Sequence, residues 1–165
     1  PLMDIADYSI SPFTKFADDW ALLTAGVPGD FNSMTIAWGG LGTMWGKPVA
    51  FLVVKPSRYT AEFVKKYDTC TVSWYDKQYK KALTTFGTKS GRDIDKVQAT
   101  NFTPKDIDGC VTYAEAKETL VLKKLFLQQL DRSLLPAECL KWYPEGTKEE
   151  QTHYLLIAEV LKIDA

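Results

Sequence analysis

The sequence predicts a mainly β (α+β) fold, a small barrel with short inserted helices. Three observations lead there. β-type segments follow one another along the chain without the regular helical crossovers of a doubly wound sheet. Aromatic residues reach 13%, a high share that accompanies packed β-sheet or a flat ring-shaped ligand. The 165 residues, 45% of them hydrophobic, are enough for one domain spanning residues 1–165 with a sizeable core.

The elements follow in order. The run Asp-Asp-Trp-Ala-Leu-Leu-Thr-Ala leads into Gly26-Val27-Pro28-Gly29-Asp30, a turn by its Gly and Pro content. Residues 33–38 form a short strand candidate, and Gly39, Gly40 and Gly42 are expected to break any regular element after it. Residues 48–54 read as a buried strand, stopped by Lys55-Pro56. Ser57 opens a helix that carries Tyr59, Phe63 and Tyr67 on one face. Residues 69–75 alternate, with Cys70, Val72 and Trp74 on one side and Thr69, Thr71 and Ser73 on the other, the pattern of a half-buried strand.

Asp76 is expected to cap a second helix, with Tyr79, Leu83 and Phe86 inward and Gly87 as terminator. Thr103-Pro104-Lys105-Asp106 reads as a further helix start, a cap followed by Pro and an acid. Residues 111–130 fit both a strand and a helical face. Tyr154 to Ile163 is a final strand by its β-branched and aromatic content.

Charge and motifs exclude several functions. Lys and Arg total 20 against 21 Asp and Glu, so the chain has no electrostatic footprint for nucleic acid or an anionic membrane. No apolar stretch is long enough to span a bilayer and no basic-then-apolar leader is present, so a cytoplasmic protein is expected. Cys70, Cys110 and Cys139 are widely spaced with no CxxC, which suits three reduced thiols. Trp45 stands where a dinucleotide fingerprint needs its third glycine. GxxxxGK[ST], GxSxG and HExxH are absent, and the single histidine, His153, excludes a multi-histidine metal site.

Two polar segments could hold a phosphate. Ser57-Arg58-Tyr59-Thr60 opens a helix, where unpaired N–H groups, hydroxyls and an arginine fork suit an anion. Position alone favours the plainer alternative, a Ser cap with a solvated arginine. Gly87-Thr88-Lys89-Ser90-Gly91-Arg92-Asp93 offers similar donors, or is a plain surface turn.

Taken together, Asn32-x-Met34-Thr35-x-x-Trp38, Trp45-x-Lys47-Pro48, Arg58-Tyr59-Thr60 and Ser90-Gly91-Arg92-Asp93-x-Asp95-Lys96 resemble the FMN-binding split-barrel family. The nearest branch is the flavin reductase-like and flavoredoxin group, with the motifs in the expected order. The resemblance implies a Greek-key split β-barrel and a homodimer with one FMN per subunit.

Carried over, it implies that Asn32, Ser33, Met34, Thr35 and Trp38 lie along the flavin ring. Ser57, Arg58 and Thr60 would hold the phosphate, Tyr59 would be a further cofactor contact, and Lys89, Ser90 and Arg92 would complete the phosphate and ribityl contacts. It implies NAD(P)H as co-substrate, hydride transfer from nicotinamide to flavin N5, and onward delivery to a small-molecule acceptor or a redox partner protein. His153 would be the catalytic residue that places the nicotinamide. Here the sequence departs from many NAD(P)H-using members. It has Gln151-Thr152-His153 in place of Gly-Asp-His, and Ala158 where a glycine would follow. The alternatives are a flavoredoxin-type electron carrier without its own nicotinamide site, and a noncatalytic split-barrel dimer module.

Overall fold

Alternating β-branched and aromatic residues build the framework of the chain, one large antiparallel sheet. The computed structural model describes residues 1–165. Its strands are β1 (Leu2–Met3), β2 (Ala21–Val27), β3 (Asp30–Ile36), β4 (Gly39–Met44), β5 (Lys47–Val54), β6 (Thr69–Trp74), β7 (Pro104–Ile107), β8 (Cys110–Tyr113), β9 (Glu118–Gln129) and β10 (Tyr154–Asp164). Its helices are α1 (Pro12–Thr14), α2 (Tyr59–Lys66), α3 (Lys80–Thr88), α4 (Lys96–Thr100) and α5 (Ala137–Leu140). The large sheet runs β3-β2-β6-β9-β10-β5-β4, with β1 added to β10, and β7 and β8 form a separate hairpin. No helix is long and apolar enough to cross a membrane.

Two apolar clusters hold the sheet. One joins Leu23, Leu52, Leu120, Leu122 and Leu156 to Ala61, Phe63 and Val64 of α2. The other packs Leu22, Tyr75, Leu83, Phe86, Phe102 and Tyr113 beneath α3 and the hairpin. Leu22 and Leu23 therefore point to opposite clusters, which fixes β2 as a strand covered on both faces. The second cluster is dominated by aromatic rings, and in it Phe102 lies 5.2–5.5 Å from the rings of Tyr75, Tyr79, Phe86 and Tyr113.

Five expectations are corrected. Gly39, Gly40 and Gly42 do not break the chain but pair with Leu52, Phe51 and Val49 as β4. At Gly39 the absence of a side chain is what permits the pairing, since a Cβ would lie 2.8 Å from Phe16 and 2.9 Å from the Phe51 carbonyl oxygen. β6 is buried on both faces rather than half-buried. The hairpin covers its polar side, where Thr71 Oγ1 donates to the Val111 carbonyl at 2.6 Å.

Thr103-Pro104 does not start a helix. Pro104 opens β7, a position that costs no ladder bond, and Asp108-Gly109 make the tight turn to β8 with φ of 52° and 80°. The helix after Pro56 starts at Tyr59 with Arg58 at its N-cap, while Ser57 stays outside and exposed. Asp76 precedes a single 3-10 turn (Lys77–Tyr79) without a capping bond, and Gly87 lies inside the last turn of α3. A Cβ there would sit 3.1 Å from that of Thr35, so Gly87 lets the helix end press onto β3. The ambiguous 111–130 run resolves as strand, in β8 and the long β9.

Candidate functional site

Three segments converge at the free edge of β3. In the strand order β3 has a neighbour only on its β2 side. Facing that edge are the start of α2, the end of α3 and the loop into α4.

Asn32 Nδ2 donates to Thr60 Oγ1 at 2.8 Å, tying β3 to α2, and Thr60 is buried. Ser33 points inward, its Oγ within 2.7 Å of both Thr24 Oγ1 and Tyr113 Oη. Thr35 Oγ1 donates to the Leu83 carbonyl of α3. Gly91 packs onto Asn32 so closely that a Cβ would lie 2.2 Å from Asn32 Oδ1. This approach carries Arg92 over the ring of Tyr59 at 4.8 Å. Arg92 there donates to the Glu62 carboxylate at 2.9 Å and the Ser57 carbonyl at 3.3 Å.

Arg58 reaches from the start of α2 to the end of α3, donating to the Gly87 carbonyl at 3.0 Å and the Phe86 carbonyl at 3.1 Å. Terminal carbonyls lack helical partners and carry the negative end of the dipole, so a guanidinium is stabilised there. Lys96, 5% exposed, donates to the same Phe86 carbonyl at 3.0 Å and to the Ser33 carbonyl at 2.8 Å. Burial, and then the Arg58 charge, lower its pKa to about 8. Neither cation is in an ion pair.

His153 sits just before β10. Its Nδ1 lies 2.6 Å from Tyr143 Oη, and its ring is 5.1 Å from that of Trp38. Trp142 meets Trp38 edge-on at 5.0 Å. Burial, and then the positive charge of Lys55, lower the His153 pKa to about 4, so the ring is neutral at pH 7. Lys55 anchors the preceding segment through the Glu149 carboxylate at 3.0 Å and the Tyr143 ring at 4.7 Å.

Met34, Thr35, Trp38, Arg58 and His153, far apart in the chain, line one groove of about 210 Å³ with Ile36, Val53 and Lys55. Asn32, Tyr59 and Arg92 border a neighbouring hollow of about 420 Å³ with Lys96. Ser33 and Thr60 lie beneath these surfaces. Lys89 and Ser57 are exposed outside both, and Ser90 Oγ accepts the backbone N–H of Arg92 at 3.1 Å. Sequence reasoning quoted Lys96 in a motif but missed it as a site residue. Its signal was a cation at the first position of a helix, where the dipole disfavours it. Tyr143, Trp142 and Lys55 carried no local signal.

The flavin reductase like domain family matches residues 13–164. No curated protein matches. Among solved structures, flavoredoxin from Methanosarcina acetivorans is similar with a TM-score of 0.70 and 17% identity, over 100% of this chain and 75% of that one. The FMN-binding protein from Thermus thermophilus with bound p-hydroxybenzaldehyde gives 0.68 and 18%, over 99% and 77%. The NADH:FAD oxidoreductase from Streptomyces globisporus gives 0.62 and 16%, over 88% and 74%. At such identities these structures speak for the fold, a split barrel, and with the family match over nearly the whole chain they lead to one conclusion: the chain belongs to the flavin reductase like domain family.

Proposed function

We propose that the chain binds FMN along the free edge of β3 and uses NAD(P)H to reduce it. The observation that carries the reading is the pair Arg58 and Lys96, two cations without an ion-pair partner that share the Phe86 carbonyl, Arg58 on the apolar groove and Lys96 on the hollow beside it. Such a pair suits the phosphate dianion of a mononucleotide. Lys96 bonds the Ser33 carbonyl on the side away from β2, so by ladder alternation Thr35 also directs its N–H and C=O outward. These are donors and acceptors for the polar rim of a flavin ring, with Met34 and Trp38 beside its apolar part.

When bound, FMN supplies hydride acceptance at N5 from a reduced nicotinamide. The chain's own part is to bind, orient and exclude water. Arg58 and Lys96 hold the phosphate, with Arg92 and Tyr59 shaping the adjoining hollow and Ser90 fixing the backbone of Arg92. Gly91 sets the loop's approach to Asn32. His153, neutral and at the groove wall, is the residue that places the nicotinamide.

A second reading, an electron carrier without a nicotinamide site, is favoured by Trp142 and Tyr143, which pack against Trp38 and His153 and narrow that end of the groove. The electrons then pass to a small-molecule acceptor or a partner protein. We further propose a homodimer, in which a second copy covers Trp38 and Trp142, 42% and 55% exposed at the rim. Sedimentation at the monomer mass would contradict it.

Anaerobic mixing of the flavin-loaded chain with NADH and with NADPH separates the two readings. Rapid bleaching by either supports the reductase. Bleaching by dithionite alone supports the carrier.

A further inference from the structure

His153 has one ring nitrogen engaged and one free. Nδ1 lies 2.6 Å from Tyr143 Oη. Nε2 has no hydrogen-bond partner, and no unpartnered polar side-chain atom of the chain is buried. Nε2 is therefore open, on a residue that lines the groove.

The direction of the Tyr143 bond decides what Nε2 offers. Tyr143 is 4% exposed, and burial raises its pKa, so the phenol keeps its proton. The phenol oxygen has a single hydrogen-bond partner, His153 Nδ1. Nδ1 is therefore the one acceptor within reach of the O–H, and a phenol that accepted from Nδ1 instead would leave its own proton buried without a partner. The imidazole is neutral at pH 7, because burial and the Lys55 charge lower its pKa to about 4. A neutral ring that accepts at Nδ1 carries its proton at Nε2.

We propose that Tyr143 is a positioning residue: its O–H donates to His153 Nδ1, fixing the ring as the Nε2–H tautomer and presenting that N–H to a carbonyl oxygen in the groove. On the reading above, that oxygen belongs to the carboxamide of the nicotinamide. The tautomer itself is set by the chain alone and does not depend on that reading.

The chain's single histidine makes the test unambiguous. A long-range proton–nitrogen correlation spectrum of the nitrogen-labelled protein, as purified at pH 7, reads the tautomer directly. The expected result is an unprotonated Nδ1 and a protonated Nε2 in wild type, and a mixture of tautomers in Tyr143→Phe, which keeps the ring and loses the hydroxyl. The KM for the nicotinamide should rise about two- to tenfold in that variant, the range of one neutral hydrogen bond, with FMN affinity unchanged.

A protonated Nδ1 in wild type overturns the proposal, and that spectrum decides it even if the variant does not fold. A single Nε2–H tautomer that persists in Tyr143→Phe also overturns it. A switched tautomer with unchanged KM overturns the role of the Nε2–H toward the nicotinamide. Failure of the proposed reductase activity is seen separately, as a wild type that neither nicotinamide reduces.

Discussion

Arg58 and Lys96 donate to a single acceptor, the carbonyl oxygen of Phe86, at 3.1 and 3.0 Å. Phe86 lies in the last turn of α3, where carbonyls lack intrahelical partners and carry partial negative charge. This partly offsets the repulsion of two like charges held together away from water. The remainder shows in Lys96, whose pKa falls to about 8 through burial and the Arg58 charge. A fold that holds two cations together without a carboxylate gains from a bound dianion.

Removing either cation should weaken FMN binding. Lys96→Met keeps the length of the side chain and loses its charge. Arg58→Ala also releases the carbonyls at the end of α3 and should lower the melting temperature as well. Each substitution should cost about 1.5–3 kcal/mol of FMN affinity, the range for hydrogen bonds to charged groups. Fluorescence titration reads the affinity, and an unchanged value for both variants would remove the phosphate from this place.

The pH dependence follows from Lys96. Its folded-state pKa of about 8 lies below the ordinary 10.5, so between those values the unfolded chain binds more protons. Stability without ligand therefore rises with pH across that window, as the buried cation is neutralised. FMN affinity moves the opposite way and falls as pH climbs past about 8, because the dianion loses a partner. Lys96→Met should flatten both curves, as read by thermal melts and titrations at pH 7 and above.

His153→Ala should slow flavin reduction by NAD(P)H about tenfold or more, the effect of roughly 1.4 kcal/mol of barrier, and leave FMN affinity nearly unchanged. Positioning acts on the reacting geometry and not on the bound phosphate. With a folded pKa of about 4 against 6.5, the wild-type rate should show no titration near 6.5 and fall only as pH approaches 4. The linkage has the same sense. The unfolded chain binds more protons between these values, so stability from this group rises with pH through that window. Stopped-flow traces across pH, with dithionite as control, check both statements.

Gly91→Ala should disturb the site without touching a charge. The new Cβ would lie 2.2 Å from Asn32 Oδ1, so either the loop lifts or Asn32 leaves Thr60. Overpacking of this kind costs about 1–3 kcal/mol, read as a lower denaturation midpoint. An unchanged midpoint would mean that the loop does not rest on Asn32.

The strands were legible where local pattern and final environment agree. β5 and β10 announce themselves by apolar, β-branched runs that do become core. β4 was hidden because its glycines look like breaks, and only the approach of Phe16 and Phe51 explains Gly39 and Gly42. The β7–β8 hairpin was hidden because Thr-Pro imitates a helix start, although Asp108-Gly109 is a strong hairpin turn. For the site, β3 and Arg58 were legible through their motifs, while Lys96 and Tyr143 were not. Lys96 acquires its role from Ser33, 63 residues away, and Tyr143 from a histidine that a folded-back segment brings beside it. Such placements are properties of the tertiary structure: Tyr143 leaves no local pattern to read, and Lys96 leaves only a cation at a helix start.

The central claim is that the groove, the hollow beside it and the cations Arg58 and Lys96 form a flavin mononucleotide site, and comparing FMN with riboflavin tests it most directly. Titration of wild type should show FMN bound in a one-to-one ratio, with riboflavin, which lacks the phosphate, weaker by at least about tenfold, since one hydrogen bond to a charged group is worth that much or more. Equal affinity for the two, or binding of neither, would contradict the account.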